Sequence, residues 1–139
     1  MNRTTLTSVL PSFLPLPLAR MEISAFDLQQ ARVKQVLFKS RLRSVLYGVR
    51  EADDALFSRP QNPLGQWLDT VVTPRYGHHP EVREIEKTLV QMLATGRELV
   101  AQHRRGYIEE ARTGLGTING QADHLNTLFD RLGQRLALG

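Results

Sequence analysis

The segment from Ile108 to Leu136 has a regular apolar spacing that strongly limits what the chain can fold into. Its apolar residues follow one another at steps of three and four, which places them on one face of an α-helix. That face consists of Ile108, Ala111, Leu115, Ile118, Ala122, Leu125, Phe129, Leu132 and Leu136. Such a face is typical of the seam between helices in a bundle. Gly114, Gly116 and Gly120 lie in the same segment, where they either let another helix come close or mark a local irregularity.

Two further segments show the same helical spacing. The first covers residues 24–50 and begins at Ser24 and Asp27, a hydroxyl and an acid suited to a helix N-terminus. Its inward face is predicted to hold Leu28, Ala31, Phe38, Leu42 and Val45, with Gln35 as the polar member. The second begins at Pro80 and ends at Gly106. Its apolar face is predicted to hold Val82, Ile85, Leu89, Met92, Gly96 and Leu99, with Leu93 and Val100 beside it.

A shorter helix is predicted between these two segments. Residues 58–63 read SRPQNP and are expected to form a loop, at whose end Asn62 caps a helix and Pro63 takes its first position. This helix is expected to stop before Pro74, because the residue before a proline disfavours the helical conformation. Residues 73–79 are then a second loop.

Together these segments predict an all-α fold. No alternating, β-branched run of strand length interrupts them. Three long helices and one short helix joined by short loops predict an antiparallel four-helix bundle over residues 23–138.

Residues 1–22 precede the predicted bundle and are expected to form an N-terminal arm, flexible or loosely docked. An early arginine followed by an apolar run is similar to a secretory signal peptide, but Pro11, Pro15 and Pro17 interrupt that run. A start at Met21, where a more regular sequence begins, is an alternative. No stretch approaches the ~18 uninterrupted apolar residues of a membrane-spanning helix.

Composition excludes several classes of site. The 139 residues contain no cysteine, which rules out disulfides, thiolate catalysis and sulfur-ligated zinc or iron–sulfur centres. The net charge of +4 is spread along the chain. Its longest basic pair, Arg104 and Arg105, lies where a helix is predicted to end and where cations complement the helix dipole. We therefore expect no nucleic-acid partner.

The sequence also lacks the patterns that indicate catalysis. It has no phosphate-binding glycine loop after a strand, no nucleophile elbow and no paired, apolar-flanked carboxylates, so we expect no enzymatic activity. Four histidines are present, namely His78, His79, His103 and His124. His78 and His79 are adjacent in a predicted loop and lack an obvious third ligand, which favours a solvated or capping role over metal binding.

A short motif between two long predicted helices resembles that of a known family. The motif residues Leu64, Gly65 and Trp67 read Leu-Gly-x-Trp, and with the flanking helices they resemble the chemoreceptor zinc-binding (CZB) domain. The similarity runs from Ser24 to Leu136. It includes residues 37–42 (LFKSRL), similar to the family's aromatic-Lys-x-Arg-Leu segment, residues 80–87 (PEVREIEK) and residues 107–112 (YIEEAR).

Members of this family hold one zinc ion with three histidines and one cysteine. The resemblance places those ligand positions on Gln35, Asn62, Leu89 and Leu93, none of which is the family's ligand. Leucine cannot bind zinc and carboxamides are poor zinc ligands. Because residues four apart share a helix face, Leu89 and Leu93 are expected to fill the space of the ion and two imidazoles. Gln35 is expected to hydrogen-bond to Asn62 or to the loop backbone.

The resemblance implies a function as well as a fold. It implies a stand-alone regulatory domain of bacterial cytoplasmic signalling, related to chemotaxis or cyclic-di-GMP, that acts by protein contacts without zinc or another cofactor. The implied partners are a chemoreceptor, a diguanylate cyclase or a second copy in a homodimer. Two alternatives remain: a metal sensor that uses His78 and His79 with His103 or His124, and a ligand carrier with a cavity near Gln35 and Asn62. An unrelated bundle, in which the four positions are ordinary core and capping residues, is also open.

Overall fold

The computed structural model describes residues 23–136, and over this range the backbone forms helices and no strands. The all-α prediction is confirmed for these residues, while the four-helix antiparallel arrangement stays a prediction. The expected N-terminal arm, residues 1–22, lies outside the described residues, as do positions 137 and 138 of the predicted bundle.

Helix α1 spans Ala25–Leu46 and begins where the capping residues predict. The Asp27 backbone N–H donates to Ser24 Oγ over 3.1 Å, and the Ser24 backbone N–H donates to Asp27 Oδ2 over 2.9 Å. This reciprocal pair satisfies two N–H groups that have no partner within the helix. The helix ends four residues before the predicted boundary at residue 50, because the chain turns through Gly48 with φ of 75°.

The connection from α1 to the next long helix is more helical than predicted. Helix α2 spans Asp54–Phe57, capped by Asp53, whose carboxylate accepts from the Ala55 N–H over 3.0 Å. A one-turn helix is too short to show periodicity, so the sequence did not reveal it. Helix α3 spans Pro63–Trp67, with Asn62 as its cap and proline at its first position, as predicted.

The predicted stop before Pro74, with a loop from residue 73, is wrong. Helix α3 continues through a π-helical turn, Leu68–Val72, into helix α4, Thr73–Tyr76. The Thr73 N–H donates to the carbonyl of Leu68, five residues back, so the helix is widened at this point. Pro74 then lies in the first turn of α4, where its missing N–H costs little.

Helix α5 spans Pro80–Arg104, and the chain leaves it through Gly106, whose φ of 91° suits glycine. The predicted fourth helix is broken into α6, Ile108–Thr113, and α7, Leu115–Arg135. The break falls at Gly114, where an added Cβ would overlap a methyl group of Leu99. Both roles considered from the sequence therefore apply to Gly114, because it lies in close contact with α5 and marks the point where the helix is interrupted.

The core lies between α1, α5 and α7, which contact one another, and α3 packs on α1. Side chains from each of these helices are fully buried, including Leu42, Leu46, Leu64, Leu68, Ile85, Leu89, Met92, Leu93, Ile118, Leu125, Phe129 and Leu132. Two edge-on aromatic pairs join the elements, with ring centroids 6.0 Å apart for Phe38 and Phe57 and 5.9 Å for Trp67 and Phe129. The second pair ties the Leu-Gly-x-Trp motif of α3 to α7.

Candidate functional site

Gln35 lies on the core face of α1 and is only 1% exposed. Its Nε2 donates to the backbone carbonyl of Ala122 on α7 over 2.9 Å. Its Oε1 is buried and has no hydrogen-bond partner among residues 23–136. The expected bond from Gln35 to Asn62 or to the loop backbone is therefore wrong, because the α7 backbone lies within reach of the side chain.

Asn62 is equally buried, and its carboxamide bridges two short helices. The Oδ1 atom accepts from the backbone N–H of Leu64 over 2.9 Å and of Gly65 over 3.4 Å. The Nδ2 atom donates to the carbonyl of Leu56 in α2 over 2.7 Å. These bonds give Asn62 the capping role predicted from the Asn-Pro pair.

Leu89 and Leu93 lie one turn apart on α5 and have exposed fractions of 0% and 1%. They are part of the apolar interior and offer no lone pair to a metal. The structure thus buries all four positions that the resemblance assigns to zinc ligands, but the two carboxamides bond to different elements. Convergence of the four side chains on one place, as in the CZB family, stays a prediction.

The motif residues Leu64, Gly65 and Trp67 are all buried. Gly65 has a steric reason to be glycine, because an added Cβ would overlap the carbonyl oxygen of Arg59 and lie 2.5 Å from the Arg59 guanidinium. Trp67 packs edge-on against Phe129 of α7. The motif therefore fixes how α3 sits against the preceding loop and the core.

Arg59 joins the loop to α5 and was missed by the sequence reasoning. Its guanidinium donates to both carboxylate oxygens of Glu86, each over 2.5 Å, and to Asp69 Oδ1 over 2.9 Å. Hydrogen bonding to Glu86 raises the pKa of Arg59 above its ordinary value, with Asp69 adding to the effect. Pairs separated by 27 and 10 residues leave no periodic signal in a sequence, so no pattern could have found them.

The histidines are found largely where the sequence predicted. The rings of His78 and His79 lie 4.5 Å apart between centroids, before α5. His103 is in the last turn of α5, and the exposed His124 has its Nε2 3.5 Å from a carboxylate oxygen of Glu84. Within residues 23–136, no three His, Asp or Glu side chains group so that they could hold a metal ion. The metal-sensor alternative thus has no third ligand beside His78 and His79 in the described residues.

A cleft of about 220 Å³ lies between α1 and residues 53–63. Its walls include Leu37, Phe38, Leu56 and Asn62, with Lys34 and Arg41 as cations, Asp53 as an acid, and Gln61, Ala55 and Pro63. The cleft therefore reaches Asn62, one of the two residues expected to line a ligand carrier's cavity, but Gln35 is not among its lining residues. Its volume is also below the ~300 Å³ at which pockets for small molecules usually begin.

No protein-family model, curated protein or solved structure matches this chain. Over residues 23–136 the protein is all-helical, and the four positions Gln35, Asn62, Leu89 and Leu93 are two buried carboxamides and two buried leucines. Membership of the CZB family stays a prediction. None of the helices in residues 23–136 combines the length and apolar character needed to cross a membrane.

Replacing Gln35 with methionine tests what its half-satisfied carboxamide contributes. Gln35→Met keeps the length of the side chain and removes the buried Oε1 that has no partner, while the Ala122 carbonyl keeps its place in the α7 ladder. We expect its free energy of unfolding to lie within about 1 kcal/mol of the wild type. Gln35→Ala should lose about 2 kcal/mol or more because it leaves a cavity. Urea unfolding of both variants checks this, and a greater loss in Gln35→Met than in Gln35→Ala would contradict it.

Proposed function

We propose that this chain is a CZB-type regulatory domain without zinc, which acts in bacterial cytoplasmic signalling through contacts with another protein. One observation carries the proposal. The four positions that would bind zinc are Gln35, Asn62, Leu89 and Leu93, and each is at most 1% exposed. The leucines are apolar, and each carboxamide is already hydrogen-bonded to the backbone. An interior closed in this way needs no ion for its stability, in contrast to metal-dependent small domains.

The proposal includes the antiparallel four-helix arrangement. Contacts across helices support it, because they run in opposite order along α5 and α7. Arg135, near the end of α7, bonds Glu81 at the start of α5 over 2.6 Å. Gln121, nearer the start of α7, bonds Thr95 over 3.0 Å. The same reversal relates α1 to the segment formed by α6 and α7. Arg32, early in α1, pairs with Asp130, late in α7, while Arg112 of α6 donates to the carbonyl of Leu46 at the end of α1.

The proposed output is a protein contact rather than a reaction. Among residues 23–136, the buried polar side chains are Gln35, Asn62 and Thr88, and none is an acid, a base or an activated nucleophile. The proposed partner is a signalling protein of the chemoreceptor or diguanylate cyclase type, or a second copy of this chain.

Metal analysis of the purified protein tests the proposal. We expect less than about 0.1 zinc per chain by elemental analysis and a thermal midpoint that neither excess zinc nor EDTA changes. Tight stoichiometric zinc would contradict the proposal, as would a large stabilisation that a chelator reverses. The double variant His78→Ala/His79→Ala is the control. If the wild-type protein binds zinc and this variant does not, the chain is the alternative metal sensor.

A further inference from the structure

The side of α1 that faces away from the core carries large apolar side chains. Phe26, Val33, Val36 and Leu37, here called the outer seam, have exposed fractions of 68%, 43%, 58% and 50%. Isolated exposed apolar residues are ordinary on a protein surface, but these four follow a pattern. Val33 lies seven residues after Phe26, and Val36 and Leu37 lie three and four residues after Val33. This is the spacing with which one helix packs along another.

The outer seam is flanked by positive charge. Lys34, Lys39, Arg41 and Arg43 lie on α1 beside it, and none of them makes a salt bridge to another residue in the 23–136 range. The acid of this helix, Asp27, is engaged with the cap at Ser24. The flanks therefore attract an acidic surface.

The cleft described above continues the outer seam sideways. Leu37 belongs to both, Phe38 and Leu56 supply an apolar wall, and Lys34 and Arg41 are among the lining residues. Its volume of about 220 Å³ suits one or two side chains rather than a small-molecule ligand. Asp53 also lines it and is the one acid among the residues that do so.

We propose that the outer seam and this cleft bind an amphipathic helix of a partner protein whose apolar face is flanked by Asp and Glu. Its apolar residues pack along the outer seam, and one large side chain enters the cleft. Its carboxylates pair with Lys34 and Arg41 on one side and with Lys39 and Arg43 on the other. Binding of this kind follows the helix-in-groove mode. The inference rests on the proposed function, since it names the chemistry of the protein partner.

Charge and shape distinguish this occupant from two others. Packing α1 against α1 of a second copy would bring the same four cations, which have no ion-pair partner within residues 23–136, together from each side, which is unfavourable. An anionic membrane would satisfy the charge, but a flat lipid surface cannot fill the cleft beside Leu37. The face is also interrupted by the polar residues Gln29, Gln30 and Ser40, so it is a poor membrane-inserting surface.

Fluorescence anisotropy with designed peptides tests the proposal. The probe is a labelled helical peptide of about 21 residues with leucine at the seam positions and glutamate on both flanks. The comparison peptide has lysine in place of every glutamate. We expect the acidic peptide to bind at least roughly tenfold more tightly, with an affinity that falls between about 0.05 M and about 0.5 M salt. Equal binding of the two peptides, or no binding of either, overturns the proposal.

Variants of the protein locate the binding surface. Val33→Ser/Leu37→Ser should weaken binding of the acidic peptide by at least about tenfold. Val90→Ser, on α5 and 46% exposed, is the matched control and should leave binding unchanged. Lys34→Glu/Arg41→Glu should bring the affinities of the two peptides close together, because two carboxylates then balance Lys39 and Arg43, whereas a merely structural effect would weaken both peptides and keep the preference. Unchanged binding in the first variant, or an undiminished preference for the acidic peptide in the last, contradicts the assigned surface.

Two further measurements separate the other occupants. Cosedimentation with vesicles containing about 30% phosphatidylserine, without binding of the acidic peptide, would replace the proposal with a membrane surface. A dimer in sedimentation velocity that Val33→Ser/Leu37→Ser disperses would replace it with a second copy. Either result leaves the zinc-free character untouched, because metal analysis tests that separately.

Discussion

The quadruple variant Gln35→His/Asn62→Cys/Leu89→His/Leu93→His should bind one zinc ion per chain, whereas the wild-type protein should bind none. This variant places the CZB ligand set on the four positions that the resemblance assigns to it. If the backbone of this chain retains the family's geometry, three imidazoles and one thiolate will meet at metal–ligand distances of about 2.0–2.3 Å. We expect a dissociation constant below about 1 μM, measured by competition with a chromophoric chelator.

We expect zinc to stabilise the quadruple variant strongly, because the variant without metal is destabilised by polar side chains in an interior that is apolar at Leu89 and Leu93. Without metal, the variant buries polar imidazoles where Leu89 and Leu93 made apolar contacts, and each lost leucine should cost roughly 2–5 kcal/mol. With zinc, coordination free energy offsets that cost, because the ligands are held together in the folded state rather than in the unfolded state. The thermal midpoint of the variant should therefore depend steeply on zinc and fall on addition of EDTA.

A two-ligand variant is the control for the quadruple variant. Gln35→His/Asn62→Cys keeps both leucines and should bind zinc at least about a hundredfold more weakly, since two ligands cannot complete a tetrahedral site. If the quadruple variant is folded by circular dichroism in the presence of zinc and still holds none, the four positions do not converge. The proposed membership of the CZB family would then fail, while the all-helical fold would stand.

Local chemistry explains which parts of the fold could be predicted. The start of α1 follows from Ser24 and Asp27, the start of α3 from Asn62, and the end of α5 from Gly106. In each case the determining groups lie within a few residues of the boundary. The burial of Leu89 and Leu93 follows equally directly from helical spacing.

Features fixed by distant residues could not be predicted in this way. The bond from Gln35 to the Ala122 carbonyl joins positions 87 residues apart, and the sequence gives no sign of it. The widened turn before Pro74 exchanges one hydrogen-bonding register for another, which a rule about proline alone does not anticipate. The outer seam does have a signal in the sequence, because Phe26, Val33 and Leu37 recur at helical spacing on a second face of α1. The prediction of a single apolar face that meets the core does not include it.

Gly65→Ala should lower the free energy of unfolding by about 3 kcal/mol or more, a large fraction of the ~5–15 kcal/mol that stabilises a typical domain. The new methyl group would overlap the backbone carbonyl of Arg59, which cannot rotate away as a flexible side chain would. Moving that carbonyl also displaces the Arg59 guanidinium from Glu86 and Asp69. Urea unfolding monitored by circular dichroism measures the loss.

Gly116→Ala is the matched control for this effect, because it adds the same methyl group to a helix at a point where, apart from the adjacent helix backbone, no described heavy atom lies within 4 Å of it. Alanine has the higher helix propensity, so Gly116→Ala should raise the free energy of unfolding by up to about 1 kcal/mol. Opposite signs for one chemical change would show that the Leu-Gly-x-Trp motif is constrained by the contact of Gly65 with Arg59 rather than by helix propensity. If both variants unfold at the same urea concentration as the wild type, the close packing of α3 against the Arg59 loop is wrong, and with it the structural role assigned to the motif.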